Sequence, residues 1–154
     1  MKKMKIIIFD GTFKTTTFIN RFCEGLAVKH EVSIIGFNEN VNNKIQNVSY
    51  ISLGSNESKI RFFKTSILLR GGNIKQQLNL FSLSLRGKKR QIKETNLQLV
   101  INKIQPDIIH FQWVSVLSYL TNLDLPKRTK TVFSQRGFHI NVRPFVDQEN
   151  MRFL

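Results

Sequence analysis

His110, Gln112 and Trp113 close a segment, Pro106-Asp107-Ile108-Ile109-His110-Phe111-Gln112-Trp113, in which a helix stop, a short apolar strand and a polar or aromatic tip follow one another. Proline cannot continue a preceding helix, and a run this apolar suits a parallel strand covered on both faces. The carboxyl end of such a strand is where open α/β sheets bind ligands. An imidazole, with an ordinary pKa near neutrality, can move a proton or hydrogen-bond a hydroxyl. An amide can only hydrogen-bond, and an indole can give a sugar ring a flat platform. Each has a structural alternative: His110 as a core histidine, Trp113 as a staple between sheet and helix. Alternation places His110 and Gln112 on one side of the strand and Phe111 and Trp113 on the other. His110 and Gln112 are the candidates for catalytic work, and Gln112 and Trp113 for substrate binding.

Two other stretches could hold an anion. Asp10-Gly11-Thr12 follows the first apolar run, where a glycine lets backbone approach a ligand and helix-start N–H groups can meet a phosphate. Arg136-Gly137 follows another short run, and a guanidinium there suits bidentate capture of phosphate or carboxylate, with His139 and Arg143 close by in sequence. Gly11 stands alone where a dinucleotide fingerprint needs Gly-x-Gly-x-x-Gly, so no nicotinamide or flavin cofactor is expected. His30 reads as a helix end. The sequence has no metal-ligand spacing, no nucleophile elbow, no Walker loop and no paired carboxylates, and only ten acids in all.

These residues need a scaffold that alternates strands and helices. Lys5 to Phe9 reads as a strand. Phe18, Ile19, Phe22, Cys23, Leu26 and Ala27 recur at helical spacing after the capping cluster Thr15-Thr16-Thr17, and Glu31 to Phe37 reads as a second strand. Asn47 to Leu53 alternates like an edge strand. Ile60, Phe63 and Ile67 mark a basic helix ending near Gly71-Gly72. Ile74 to Leu85 mixes two periods, with helix the better fit. Leu97, Val100, Ile101 and Ile104 give a helix that Pro106 ends; Val116, Leu117, Leu120 and Leu123 give another; Thr131 to Ser134 is a last strand. The pattern predicts an α/β, Rossmann-like, doubly wound and mostly parallel sheet with helices on both faces. At 154 residues the chain is one domain, able to bury about 70% of its unfolded surface.

The order strand, His110, aromatic, Gln112, Trp113, helix, Leu125-Pro126, strand, Arg136-Gly137 resembles the N-terminal domain of family-4-like, GT-B-fold glycosyltransferases. The opening agrees, with a Lys-rich start, a strand, a small-residue turn, a helix and His30-Glu31-Val32. The resemblance implies a retaining, nucleotide-sugar-dependent transferase of polysaccharide or cell-envelope glycan synthesis, acting without a metal on a sugar or lipid-linked acceptor. It also implies that residues 1–154 are an incomplete acceptor-side domain, inactive alone, with the C-terminal domain that binds the nucleotide-sugar donor absent. Arg136-Gly137 matches a frequent family pair, whereas the position of Gln112 is often a second histidine. Glutamine there carries no titratable proton.

Charge opens a different reading. The chain carries +14, and eleven Lys or Arg between Lys59 and Lys103 against the single acid Glu94 account for +10 of it. Such a field attracts phosphorylated sugars, anionic lipid headgroups or nucleic acid. The alternative is therefore a non-catalytic basic module that binds nucleic acid or an anionic membrane surface. Cys23 is the only cysteine, which rules out a disulfide framework and fits a reducing cytoplasm. No apolar run approaches the ~18 residues a membrane-spanning helix needs, so any membrane contact is expected to be peripheral, at the inner face. The apolar run Ile6 to Phe9 is too short for a signal peptide.

Overall fold

Ile6, Ile7, Ile8 and Phe9 are all within 4% of complete burial, as a strand walled on both sides requires. The computed structural model describes residues 2–13, 16–38, 41 and 44–134. That strand, β1 (Lys5–Gly11), is the centre of a five-stranded sheet with β2 (Glu31–Gly36), β3 (Val48–Ser52), β4 (Ile108–Phe111) and β5 (Lys130–Phe133) in the order β3-β2-β1-β4-β5. All four pairings are parallel. The expected α/β, Rossmann-like sheet is the observed one, with the Asn47 to Leu53 run on an edge as its alternation predicts.

Side-chain alternation along β1 divides the core in two. Ile6 and Ile8 pack with Ile19 and Cys23 of α1 (Thr17–Ala27), and with Val32 and Ile34 of β2. Ile7 and Phe9 pack with Leu97, Val100 and Ile101 of α4 (Lys89–Ile104), and with Val116 and Leu117 of α5 (Val114–Leu117). Burial of this kind is worth about 1.5–3 kcal/mol per large apolar side chain. The helices start where sequence caps them: Thr16 Oγ1 accepts from the Ile19 N–H, and Ser58 Oγ from the Arg61 N–H. Helix α4 ends at Gln105 in the left-handed region (φ 51°), directly before Pro106. The Asp107 carboxylate then accepts from the Lys5 N–H at 2.8 Å, which sets the start of β4 beside β1.

Between β3 and α4 the chain builds α2 (Lys59–Arg70) and α3 (Ile74–Leu85), so the ambiguous run is helical. Both lie against α4, Leu80 and Phe62 meeting Ile92 in a small core of their own. A buried polar network locks the layer. Arg70 Nη1 donates to the Ser66 carbonyl and to Asn96 Oδ1, each at 2.7 Å, while Asn96 Nδ2 donates to the Leu53 carbonyl and to Ser66 Oγ. Arg70 is thus not part of the basic surface that its sequence neighbourhood suggests.

One element differs from its periodicity. The helix expected through Leu123 is a single α turn, α5, followed by a 3₁₀ turn at Leu120–Asn122. The bonds here run i to i−3 (Tyr119 N–H to Val116, Leu123 N–H to Leu120), and Gln98 of α4 holds Asp124 with two 2.7–2.8 Å bonds that pull the chain away from a helical path.

Candidate functional site

The carboxyl ends of β1, β2 and β4 open into one crevice of about 360 Å³, lined by Asp10, Gly11, Thr12, Phe37, Asn56, Lys93, Trp113, Val116 and Tyr119. Gly11 makes the turn possible: its φ is +80°, and a Cβ there would come within 3.0 Å of Val116 Cγ1. Gly36, at the end of β2, lets Thr12 approach, since a Cβ would lie 3.0–3.1 Å from its backbone. The Phe37 N–H donates to the Gly11 carbonyl at 2.9 Å and ties the two strand ends together.

Polarity and apolarity are sorted within the crevice. Its floor is aromatic, with Tyr119 against Phe9 and Phe37 at ring separations of 5.8 and 5.6 Å. On one wall the Trp113 Nε1–H donates to Asp10 Oδ1 at 2.8 Å, which fixes the indole plane and places a buried carboxylate beside it. Opposite, α4 contributes Lys93, whose Nζ lies 4.5 Å over the Phe37 ring and donates to Asn56 Oδ1 at 2.6 Å. Burial, aided by the neighbouring Lys89 charge, pushes the Lys93 ammonium below its ordinary 10.5. A cation in a partly dry crevice with an aromatic floor and hydroxyl and amide groups at the rim is suited to a polyol carrying an anionic group.

The structure brings Gly11, Thr12 and Trp113 into this crevice, as their places at strand ends predict. It does not bring His110 or Gln112 there. Gln112 is 1% exposed, and its Nε2 lies 3.3 Å from His110 Nδ1. The expectation that Gln112 faces a ligand is corrected accordingly: the amide is sealed, and its Oε1 has no hydrogen-bond partner among the described residues. His110 packs edge to face on Phe22 of α1, and its Nε2 lies 2.8 Å from Ser134 Oγ. With Nδ1 accepting from Gln112, the Nε2–H donates to Ser134, so both ring nitrogens are engaged. Burial holds the ring below its usual 6.5, favouring the neutral form. On the α1 side His110 ties β4 to the end of β5 at Ser134, and Gln112 backs His110 while its own N–H donates to the Phe9 carbonyl of β1. The physical reason is alternation itself, which sends positions 110 and 112 toward the α1 layer.

Arg136, Gly137, His139 and Arg143 lie outside the described residues, as do Lys14, Thr15 and the run 141–154. Lys93, Asn56 and Tyr119 are crevice residues that local sequence does not mark. Lys93 sits in a crowd of surface cations, and only the crossing of α4 over the β1–β2 ends distinguishes it. Among the described residues no three His, Cys, Asp or Glu side chains gather as a metal site, and no helix is long and apolar enough to cross a membrane. No protein-family model matches the chain, and none of the curated proteins is similar enough to match it.

Proposed function

We propose that the chain is the acceptor-side domain of a nucleotide-sugar-dependent glycosyltransferase, with the donor held by a second Rossmann-like domain. The observation that carries this reading is the crevice at the carboxyl ends of β1 and β4, where a fixed indole, an aromatic floor and the Lys93 ammonium surround one space. In an open parallel sheet this end is the ligand side. The crevice residues do positioning work: Trp113 and Tyr119 flank a sugar ring, Thr12 and Asn56 meet hydroxyls, and Lys93 pairs with a phosphate on a phosphorylated or lipid-linked acceptor. Transfer then depends on holding an acceptor hydroxyl in line with the donor and on stabilising the departing diphosphate from the other domain. Catalysis needs both halves.

The test has two parts. In NMR titrations of residues 1–154, sugar phosphates are expected to shift the single Trp113 indole N–H resonance and the Gly11 amide. With radiolabelled UDP- and GDP-sugars the same polypeptide is expected to form no product. Product from this chain alone contradicts the division of labour, and an indole resonance indifferent to every sugar phosphate contradicts the acceptor site.

A further inference from the structure

Helix α3 turns a row of apolar side chains to solvent. Ile74, Leu78, Phe81 and Leu85 are 74%, 64%, 50% and 90% exposed. At about 100° per residue these four positions fall within an arc of about 60°, a stripe about 16 Å long. Leu80, on the opposite side, is fully buried against Phe62 and Ile92. A helix apolar on both its buried and its solvent side has a second face that the domain's own core does not use.

What borders the stripe defines its occupant. Lys75 and Arg86, both exposed, project from the flank about 100–120° round the helix. At the other flank Phe81 meets Phe63 of α2 edge to face, 5.4 Å between ring centres, so the stripe continues into the solvent side of α2. There Ile60 and Leu68, 82% and 69% exposed, alternate with exposed Lys64. The segment from Lys59 to Lys103 holds ten of the chain's fourteen net positive charges, nine once the buried Arg70 is set aside. Long basic side chains can lay their stems along apolar surface and keep their charges at headgroup height. A protein partner for an apolar stripe needs no excess of cations. An anionic bilayer rewards both features together, apolar side chains entering the interface and Lys or Arg pairing with headgroups.

We infer that the α2–α3 hairpin is a membrane-docking surface for anionic phospholipid, with Ile74, Leu78, Phe81 and Leu85 as the inserting row. The inference stands apart from the chemistry of the crevice, because none of these residues lines it. Docking adds a location to the function: a domain held on a bilayer meets acceptors confined to that plane.

The full 154-residue chain is mixed with vesicles of phosphatidylcholine alone or of phosphatidylcholine and phosphatidylglycerol, and sedimented. Binding is expected to rise with the phosphatidylglycerol fraction and to weaken with salt, as exposed charges are screened beyond about 8 Å at physiological ionic strength. Leu78→Glu and Leu85→Glu should each weaken it roughly tenfold with the unfolding midpoint unchanged, since both positions are exposed. Lys75→Glu with Arg86→Glu should flatten the salt dependence. Equal sedimentation with neutral and anionic vesicles overturns the inference, as does anionic binding indifferent to Leu78→Glu and Leu85→Glu. Self-association abolished by Leu78→Glu without vesicle binding assigns the face to a second copy, and binding to single-stranded RNA with none to lipid assigns it to nucleic acid; both overturn it.

Discussion

Arg70 and Lys93 both leave the surface of this domain, and they do so in opposite ways. Arg70 is 4% exposed, clamped by Ser66 and Asn96 between α2 and α4, with its Nη2 unpartnered among the described residues. Lys93 is only half-buried, held by one bond to the exposed Asn56 and by the face of Phe37. Burial lowers the pKa of both. The difference is exchangeability. Arg70 has traded water for fixed carbonyl and amide oxygens and has no room for a ligand, whereas Lys93 can release one amide oxygen to solvent and take an anion instead. A desolvated cation marks a site only where something can reach it.

The largest way to test that contrast is Asn96→Ala. It removes the acceptor of Arg70 and the donor to the Leu53 carbonyl and Ser66 together, leaving a buried guanidinium short of a partner, and should cost about 3 kcal/mol in urea unfolding. Arg70→Met should cost less than Asn96→Ala, because it removes the buried charge along with its bonds. The reverse order of the two would show that Arg70 contributes attraction rather than burden. Trp113→Phe comes next. It keeps an aromatic wall but leaves Asp10 Oδ1 one donor short, and should cost about 1–2 kcal/mol.

Smaller effects appear as pH dependence. The folded pKa of His110 is below 6.5, so as pH falls from 6.5 toward that value the unfolded chain binds the proton first, and stability declines. His110→Asn should flatten this acid-side slope in unfolding midpoints taken across that window. Lys93 has the smallest stability signature and the clearest functional one. Its folded pKa is below 10.5, so its contribution to stability rises with pH between the lowered value and 10.5, while anion binding, which needs the ammonium, falls through the lowered value. Lys93→Met should abolish both trends and leave neutral-pH stability within about 0.5 kcal/mol.

Much of the fold is written locally. Ile6 to Phe9 and Ile108 to Phe111 are too apolar for anything but doubly covered strands, and Thr16, Ser58 and Pro106 punctuate the helices where the hydrogen bonds place them. Periodicity overstates the helix beyond Trp113, because its length is set from outside, by Gln98 on α4 holding Asp124. The crevice was half legible. Gly11, Thr12 and Trp113 are strand-end residues, and strand ends follow from apolar runs. Lys93, Asn56 and Tyr119 arrive by tertiary crossing, which no local pattern encodes. Gln112 also follows a strand end, yet alternation turns its amide toward α1 and His110 rather than into the crevice. The apolar row of α3 is hidden in a run that mixes two periods, and only the packing of Leu80 under the opposite side shows that the row faces solvent.

Trp113, the only tryptophan, reports directly on whether the crevice beside it takes an anionic polyol through Lys93. Titrating the chain at neutral pH with a sugar phosphate while following indole fluorescence should give a saturable change. Lys93→Met should weaken that binding at least tenfold, about 1.4 kcal/mol, and Leu78→Glu should leave it untouched. A fluorescence titration that is flat, or equal affinity in wild type and Lys93→Met, would contradict the account.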